Sequence, residues 1–270
     1  MRLRVRNEIV CRYQPAAANV IGVMRLTPRG HYGQHVIDWS IDVSIDCRLR
    51  ASEDAFGNTV HAFEVSGPLE TLTIEATGEV DLFDSTGFVR DAIERFPVEV
   101  YLRDTPATTC DPALRAFADE TMAKAPNPLG AMHALMGAVH ERVTYDPAAE
   151  AGRTAGAAFA AGAGAAADLA HVFIAAARHS GAPARFVSGY AAEPQGEGAS
   201  AHAWAEVWLD EYGWIAFDPA ANICPHGRHV RVAIGLEQLA AAPLRSVRGG
   251  FGAEQVTSEV AFVAPYGQEQ

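Results

Sequence analysis

Two short segments carry residue types that could act together chemically. GAGAAADLAH (Gly162 to His171) reads as a glycine-rich turn entering a helix, and HAWAEVWLDEYGWIAFDP (His202 to Pro219) as two strands bearing a histidine and an aspartate. A nucleophile at a helix start, followed by a His and an Asp on adjacent strands, is the layout of a thiol acyl-transfer site. A cysteine in the first turn of such a helix sits where the dipole and free N–H groups favour an anion, so its thiol is partly ionised near neutral pH. At that place the chain has Ala166, which has none of this chemistry. Taken alone, the segment is a small-residue helix entry, and only the downstream pair gives it a functional meaning.

The strand pair is specific in its geometry. Alternation puts His202, Trp204, Glu206 and Trp208 on one strand face and Trp214, Ala216 and Asp218 on one face of the next. A three-residue connection at Asp210 to Tyr212 would pair Leu209 with Gly213 and Trp204 with Asp218. His202 and Asp218 are then diagonal neighbours within side-chain reach, and an aspartate accepting from the imidazole would set its tautomer. The plainer reading of the two residues is a surface histidine and a turn aspartate before Pro219.

Other residues nearby have weaker claims. Asp168, in the first turn of the helix, is suited to its dipole. His171 lies five positions past 166 on another helical face, which favours a structural or supporting role over a catalytic one. Arg185 reads as structural, with Ser188, Gly189 and Tyr190 forming a loop beside the site. Tyr145 either lines the cleft or packs in the core. Cys224, six residues past Asp218, lacks a helix N-terminus and makes a poor substitute nucleophile. With Cys11, Cys47 and Cys110 it forms no CxxC pair, so free thiols are expected and no metal site is.

These segments need a frame to position them. Residues 1–105 read as short antiparallel strands with period-two alternation: VRNEIVCRY, DWSIDVSIDCRLRA, NTVHAFEVSG and LTIEATGEVDLF. Turn signals separate them at Pro28 to Gly30, Phe56 to Asn58 and Ser66 to Pro68, which implies a β-sandwich or open barrel. LRDTPATTCDP (Leu102 to Pro112) marks a boundary. Helices are expected in PALRAFADETMAK, in NPLGAMHALMGAVHERVTYD and from about Ala166 to His179, which ends at Ser180-Gly181. Strands follow in ARFVSGY, HAWAEVWL, WIAFDP and HVRVAIG. The expected fold is therefore α+β, an N-terminal β domain over 1–105 followed by a mixed domain over 106–270.

Composition narrows the partners. Among 270 residues the net charge is −12, and Lys124 is the only lysine, which removes the electrostatic basis for nucleic-acid binding. No stretch offers about 18 uninterrupted apolar residues, so no membrane helix is expected. The start, MRLRVRNEIV, lacks the apolar core of a signal peptide, and the expected location is the cytoplasm.

Taken together, the motifs resemble the bacterial transglutaminase-like superfamily, whose members are often described as cysteine proteases. The family's helix motif is similar to G-x-C-x-D-x-A-H, and here Gly164, Asp168, Ala170 and His171 match, with Ala166 at the Cys. GAPARFVSGY, AHAWAEVW and GWIAFDPA match in type and order, and LTPRG, GQHVIDW and DAFGN resemble the β domain preceding this core. After HVRVAIG, Gly235-Leu236-Glu237-Gln238 departs from the family's Gly-Arg-Asp-Tyr. The resemblance implies a papain-like core of helices on an antiparallel sheet, and a Cys–His–Asp triad at position 166, His202 and Asp218. It also implies an amide of a peptide or protein as substrate, and no metal or organic cofactor. Asp168, His171, Trp204, Tyr190 and Tyr145 are placed as supporting or cleft residues. Two readings of Ala166 stand: a replaced nucleophile in an otherwise intact enzyme, or a natural pseudoenzyme.

Overall fold

Long, alternating strands dominate the first third of the chain. The structure, a computed structural model, describes residues 1–192 and 198–263. Strands β1 (Arg2–Thr27), β2 (Gln34–Val43), β3 (Arg50–Glu53) and β4 (Thr59–Leu82) come first, followed by the short β5 (Phe88–Val89). β1 and β4 pair antiparallel along almost their whole length, with β2 and β3 on the far side of β4. Inward residues from both halves of these two strands, such as Ile9, Met24, Phe63 and Ile74, share one buried cluster.

The signal Ser66-Gly67-Pro68 is not a turn: β4 runs through it. The register shifts opposite it, between Arg12 and Ala17 and again before Asn19, so the ladder bends there instead of ending. Gly67 serves close approach, because a Cβ there would lie 2.2 Å from the Ala17 carbonyl oxygen.

Helices take over after a 3₁₀ turn at Val98–Leu102. α1 (Pro112–Met122) and α2 (Pro128–Arg142) each carry proline at the first helical position. Their caps, Asp111 and Asn127, accept from Leu114 N and Gly130 N. The alanine-rich stretch that follows holds a short helix, α3 (Ala155–Ala161), flanked by a two-residue parallel pair, β6 (Thr144–Tyr145) and β7 (Ala163–Gly164). α3 ends at Gly162, whose φ of 69° is the left-handed C-cap conformation. Sequence periodicity does not reveal α3, since seven residues rich in Ala and Gly show no stripe.

α4 (Ala166–His179) is the central helix. Every residue from Ala166 to Arg178 is buried, which explains why it is apolar on all sides. It packs on the sheet formed by β8 (Ala184–Ala192), β9 (Ala199–Leu209), β10 (Gly213–Phe217) and β11 (His229–Gly235), in the order β11-β8-β9-β10-β5, all antiparallel. The chain then makes α5 (Gln238–Ala241), β12 (Leu244–Arg248) and β13 (Ala253–Val263). These last two strands pair with β1, so strand pairing crosses the boundary near residue 105 in both directions: β5 joins the second sheet and β12 and β13 join the first.

Buried amides fasten the two sheets. Gln34 donates to the Arg231 carbonyl and accepts from Arg231 N, and Asn58 does the same with Ile234. Each side chain thus satisfies a backbone group of β11 that would otherwise be buried without a partner.

Candidate active site

The hairpin of β9 and β10 pairs Gly213 with Leu209 and continues to Phe217 with Ala205, the register that a three-residue connection predicts. Asp218 follows directly and closes a tight loop by pairing with Ile223. His202 Nε2 donates to Asp218 Oδ2 at 2.7 Å. The other carboxylate oxygen accepts from Ala220 N at 3.0 Å and Ala221 N at 3.2 Å. His140 on α2 holds the same loop through the Pro219 carbonyl. Burial by itself would raise the Asp218 carboxyl, but the attraction and hydrogen bonds of His202 and His229 outweigh it and hold it well below its ordinary range.

Ala166 opens α4, the element that places it. Asp168 is fully buried and works as the local clamp: Oδ2 accepts from Ala165 N, and Oδ1 accepts from Gly152 N and Arg153 N. Ala165 itself has no side-chain acceptor, so Asp168 alone supplies the side-chain cap of this helix start. The result is a first turn tied to the loop over 152–153.

Ala166 and His202 line one cavity of about 280 Å³, together with Tyr145, Phe186, Ser188 and Gln238. Tyr145 meets His202 edge to face, with ring centroids 6.3 Å apart. With Nε2 committed to Asp218, the remaining proton-accepting atom of His202 is Nδ1. Among the described residues lining this cavity there is no Asp, Glu, Lys or Arg, so apart from His202 the cleft is neutral near pH 7.

Three other residues singled out by sequence lie as follows. Trp204 is not in the cleft; it backs the site, its ring 6.3 Å from His202 and 5.5 Å from His229. Gly189 makes room for it, since a Cβ at 189 would lie 2.7 Å from the indole. His171 is buried beside the cleft residues Phe186 and Gln238; its Nε2 accepts from Gln238 N, so Nδ1 carries the proton and donates to the Arg153 carbonyl. Burial lowers its pKa, and the hydrogen bond to Arg153 opposes this only in part. Tyr190, expected beside the site, turns away to the N-terminal sheet, where its hydroxyl accepts from Asn7 and its ring stacks on Trp39. Tyr190 shares a face with the lining residues Ser188 and Phe186 but lies further along β8, where Asn7 of β1 and Trp39 of β2 cover that face.

Sequence reasoning missed His229. It opens β11 and places Nε2 3.2 Å from Asp218 Oδ2, the oxygen that His202 already uses. The registers explain the meeting: His202 is opposite Gly189 and His229 opposite Ala191, so two strands flanking β8 put both imidazoles on one face. Among the described residues, His202, Asp218 and His229 are the one group of donor atoms, all within 4.8 Å of one another, that could share a metal ion. Cys224 is half-buried, with its pKa raised by burial, which does not favour a nucleophilic thiolate. Arg185 is structural, as read: it is fully buried, bound to Glu206 and Glu94, and lies over the Trp214 ring at 3.7 Å.

Comparison with known proteins places the fold. Residues 115–219 match the transglutaminase-like superfamily, and residues 3–81 match the bacterial transglutaminase-like N-terminal region. An uncharacterized protein of Mycobacterium leprae is 26% identical over 270 residues, covering 93% of this chain and 95% of that protein. A protein-glutamine gamma-glutamyltransferase of Pseudomonas aeruginosa is 38% identical over 87 residues, which are 26% of this chain and 12% of that enzyme. The crystal structure of a candidate cysteine protease from Cytophaga hutchinsonii superposes with a TM-score of 0.78 at 20% identity, covering 98% of this chain and 91% of that one. The fold is thus a transglutaminase-like, papain-like core behind a β domain.

Proposed function

We propose that this protein is built as a thiol acyl-transfer protein of the transglutaminase-like superfamily, of the cysteine protease or amidase type, with Ala166 standing where the nucleophile belongs. One observation carries the reading: His202, oriented by a buried Asp218 at 2.7 Å, lines the same cleft as the first residue of α4. A thiol at 166 would gain from the helix dipole and from an imidazole with Nδ1 free to take its proton. The thiolate would attack the carbonyl carbon of an amide, His202 would return the proton to the leaving amine, and first-turn N–H groups would stabilise the oxyanion. Water then releases the acyl group. The neutral lining of the cleft suits an uncharged peptide segment.

As it stands, the chain lacks the atom that forms the acyl-enzyme, so it should show no thiol-dependent turnover. The test is Ala166→Cys. The substituted protein should be alkylated by iodoacetamide below the ordinary thiol pKa of about 8.5. It should also hydrolyse peptide amides that the parent leaves intact, with a gain toward the ~10⁶-fold scale of a nucleophile in a triad. An introduced thiol with an ordinary pKa and no turnover overturns the assignment. A second reading rests on the same alanine with its surroundings intact: the cleft binds a peptide without cleaving it. Equal peptide affinity in the parent and the Ala166→Cys protein, with turnover in neither, would favour it.

A further inference from the structure

We propose that His202, Asp218 and His229 form a binding site for one divalent transition-metal ion of the zinc class, held by two imidazole Nε2 atoms and one carboxylate oxygen. The argument begins with charge. Asp218 is fully buried, and its ion partners among the described residues are the two histidines, with no arginine or lysine in contact. A buried carboxylate whose contacts are two histidines and two backbone N–H groups offers an anionic ligand for a cation at this point.

The geometry suits an ion. Both Nε2 atoms converge on one oxygen, at 2.7 and 3.2 Å, and all three donor atoms lie within 4.8 Å. Zinc bonds of about 2.0–2.1 Å in a tetrahedron need ligand atoms about 3.3 Å apart, so binding asks the two imidazoles to adjust by on the order of 1 Å from their present places around Asp218. Two nitrogens and one oxygen also select the ion class: calcium and magnesium prefer all-oxygen sets, while imidazole suits zinc and its neighbours. Three protein ligands leave the fourth position for water.

The surroundings are prepared in the way metal sites require. Asp218 Oδ1 is fixed by Ala220 N and Ala221 N, and the Trp204 ring braces both imidazoles. With an ion on the two Nε2 atoms, each imidazole carries its remaining proton on Nδ1. His229 Nδ1 is buried and has no hydrogen-bond partner in the protein. A cavity of about 30 Å³ adjoins His229, with His31, His226 and Glu206 in its wall, and it has room for one water to accept that proton. His202 lines the larger cleft, which gives the ion a path. The site does not depend on the acyl-transfer reading, although an ion on His202 and a thiol at 166 would compete for that imidazole.

The experiment uses the intact protein, stripped of metal with chelator and titrated with zinc in a calorimeter, with cobalt absorption as the spectroscopic readout. One ion per chain is expected, together with a rise in melting temperature. His229→Ala should weaken zinc binding at least about tenfold and abolish the tetrahedral cobalt bands while remaining folded by circular dichroism. His226→Ala, whose ring is 5.8 Å from that of His229 but outside the ligand set, should bind zinc as the parent does. The proposal is overturned if the folded parent shows no stoichiometric binding, or if His229→Ala and His202→Ala bind as tightly as the parent. These outcomes are separate from the acyl-transfer reading, which stands or falls on Ala166→Cys.

Discussion

The two sheets spend their charged residues in opposite ways. Along β1 and β4, Arg2, Arg4 and Arg6 pair with Asp81, Glu79 and Glu75 across the ladder, at the surface; the arginine side chains are 38–50% exposed. In the second sheet the pairs are sealed: Glu206 and Arg185 have no exposed side-chain surface and Arg231 has 11%. Glu206 takes both arginines, and Arg185 also reaches Glu94. Exposed pairs add little beyond register, whereas a buried network becomes costly as soon as one member is lost. The sheet that carries the candidate site is therefore held by a few irreplaceable polar contacts, and the other by many small ones.

This contrast is open to direct tests. The largest stability effect should come from Arg185→Ala, which leaves buried Glu206 with Arg231 alone, takes Arg185 from Glu94 and removes a cation from the Trp214 face; a loss of about 3–5 kcal/mol in urea unfolding is expected. A loss below about 1 kcal/mol would mean that the network is dispensable.

Acid should then weaken the protein in two stages. His31 is lowered to about 4, first by burial and then by the nearby Arg231 charge. Its folded pKa lies below the unfolded value of about 6.5, so its contribution is complete above that pH and is lost as pH falls from there through about 4. For Glu206 burial acts upward, but Arg231 and Arg185 prevail and lower it to about 2. Its contribution is complete above the unfolded value of about 4.3 and is lost as pH falls through about 2. Urea midpoints measured from pH 8 to pH 2 should fall through both windows, and His31→Gln should shrink the upper one without removing it, because burial also lowers His171 and His61. Identical profiles of parent and His31→Gln between pH 6.5 and 4 would contradict the His31 environment.

A smaller effect, on the order of 1–2 kcal/mol, is expected for Asp168→Ala, which frees Ala165 N and the loop N–H groups of Gly152 and Arg153. Hydrogen exchange should speed up at those amides while the sheet stays protected. Smallest of all, Arg6→Ala should leave the urea midpoint almost unchanged, and all the more so in high salt. A loss as large as that of Arg185→Ala would erase the distinction between the two sheets.

Much of the candidate site is local, and local order is what a sequence encodes most directly. The start of α4 follows from glycines leading into an apolar segment. The pairing of His202 with Asp218 follows from period-two alternation and a three-residue connection, because a hairpin has only one register that suits its turn. The helices α1 and α2 were legible from their apolar periodicity, which is equally local. Tertiary structure alone decided the rest. His229 reaches Asp218 because β11 and β9 flank β8 on opposite sides, a pairing between distant segments that no spacing reveals. Tyr190 left the cleft for the contact with Asn7 because the two sheets meet along that face. The return of β12 and β13 to β1 closes the ends of the chain on each other, and such non-local pairing depends on which edge strand stands free once both sheets have formed.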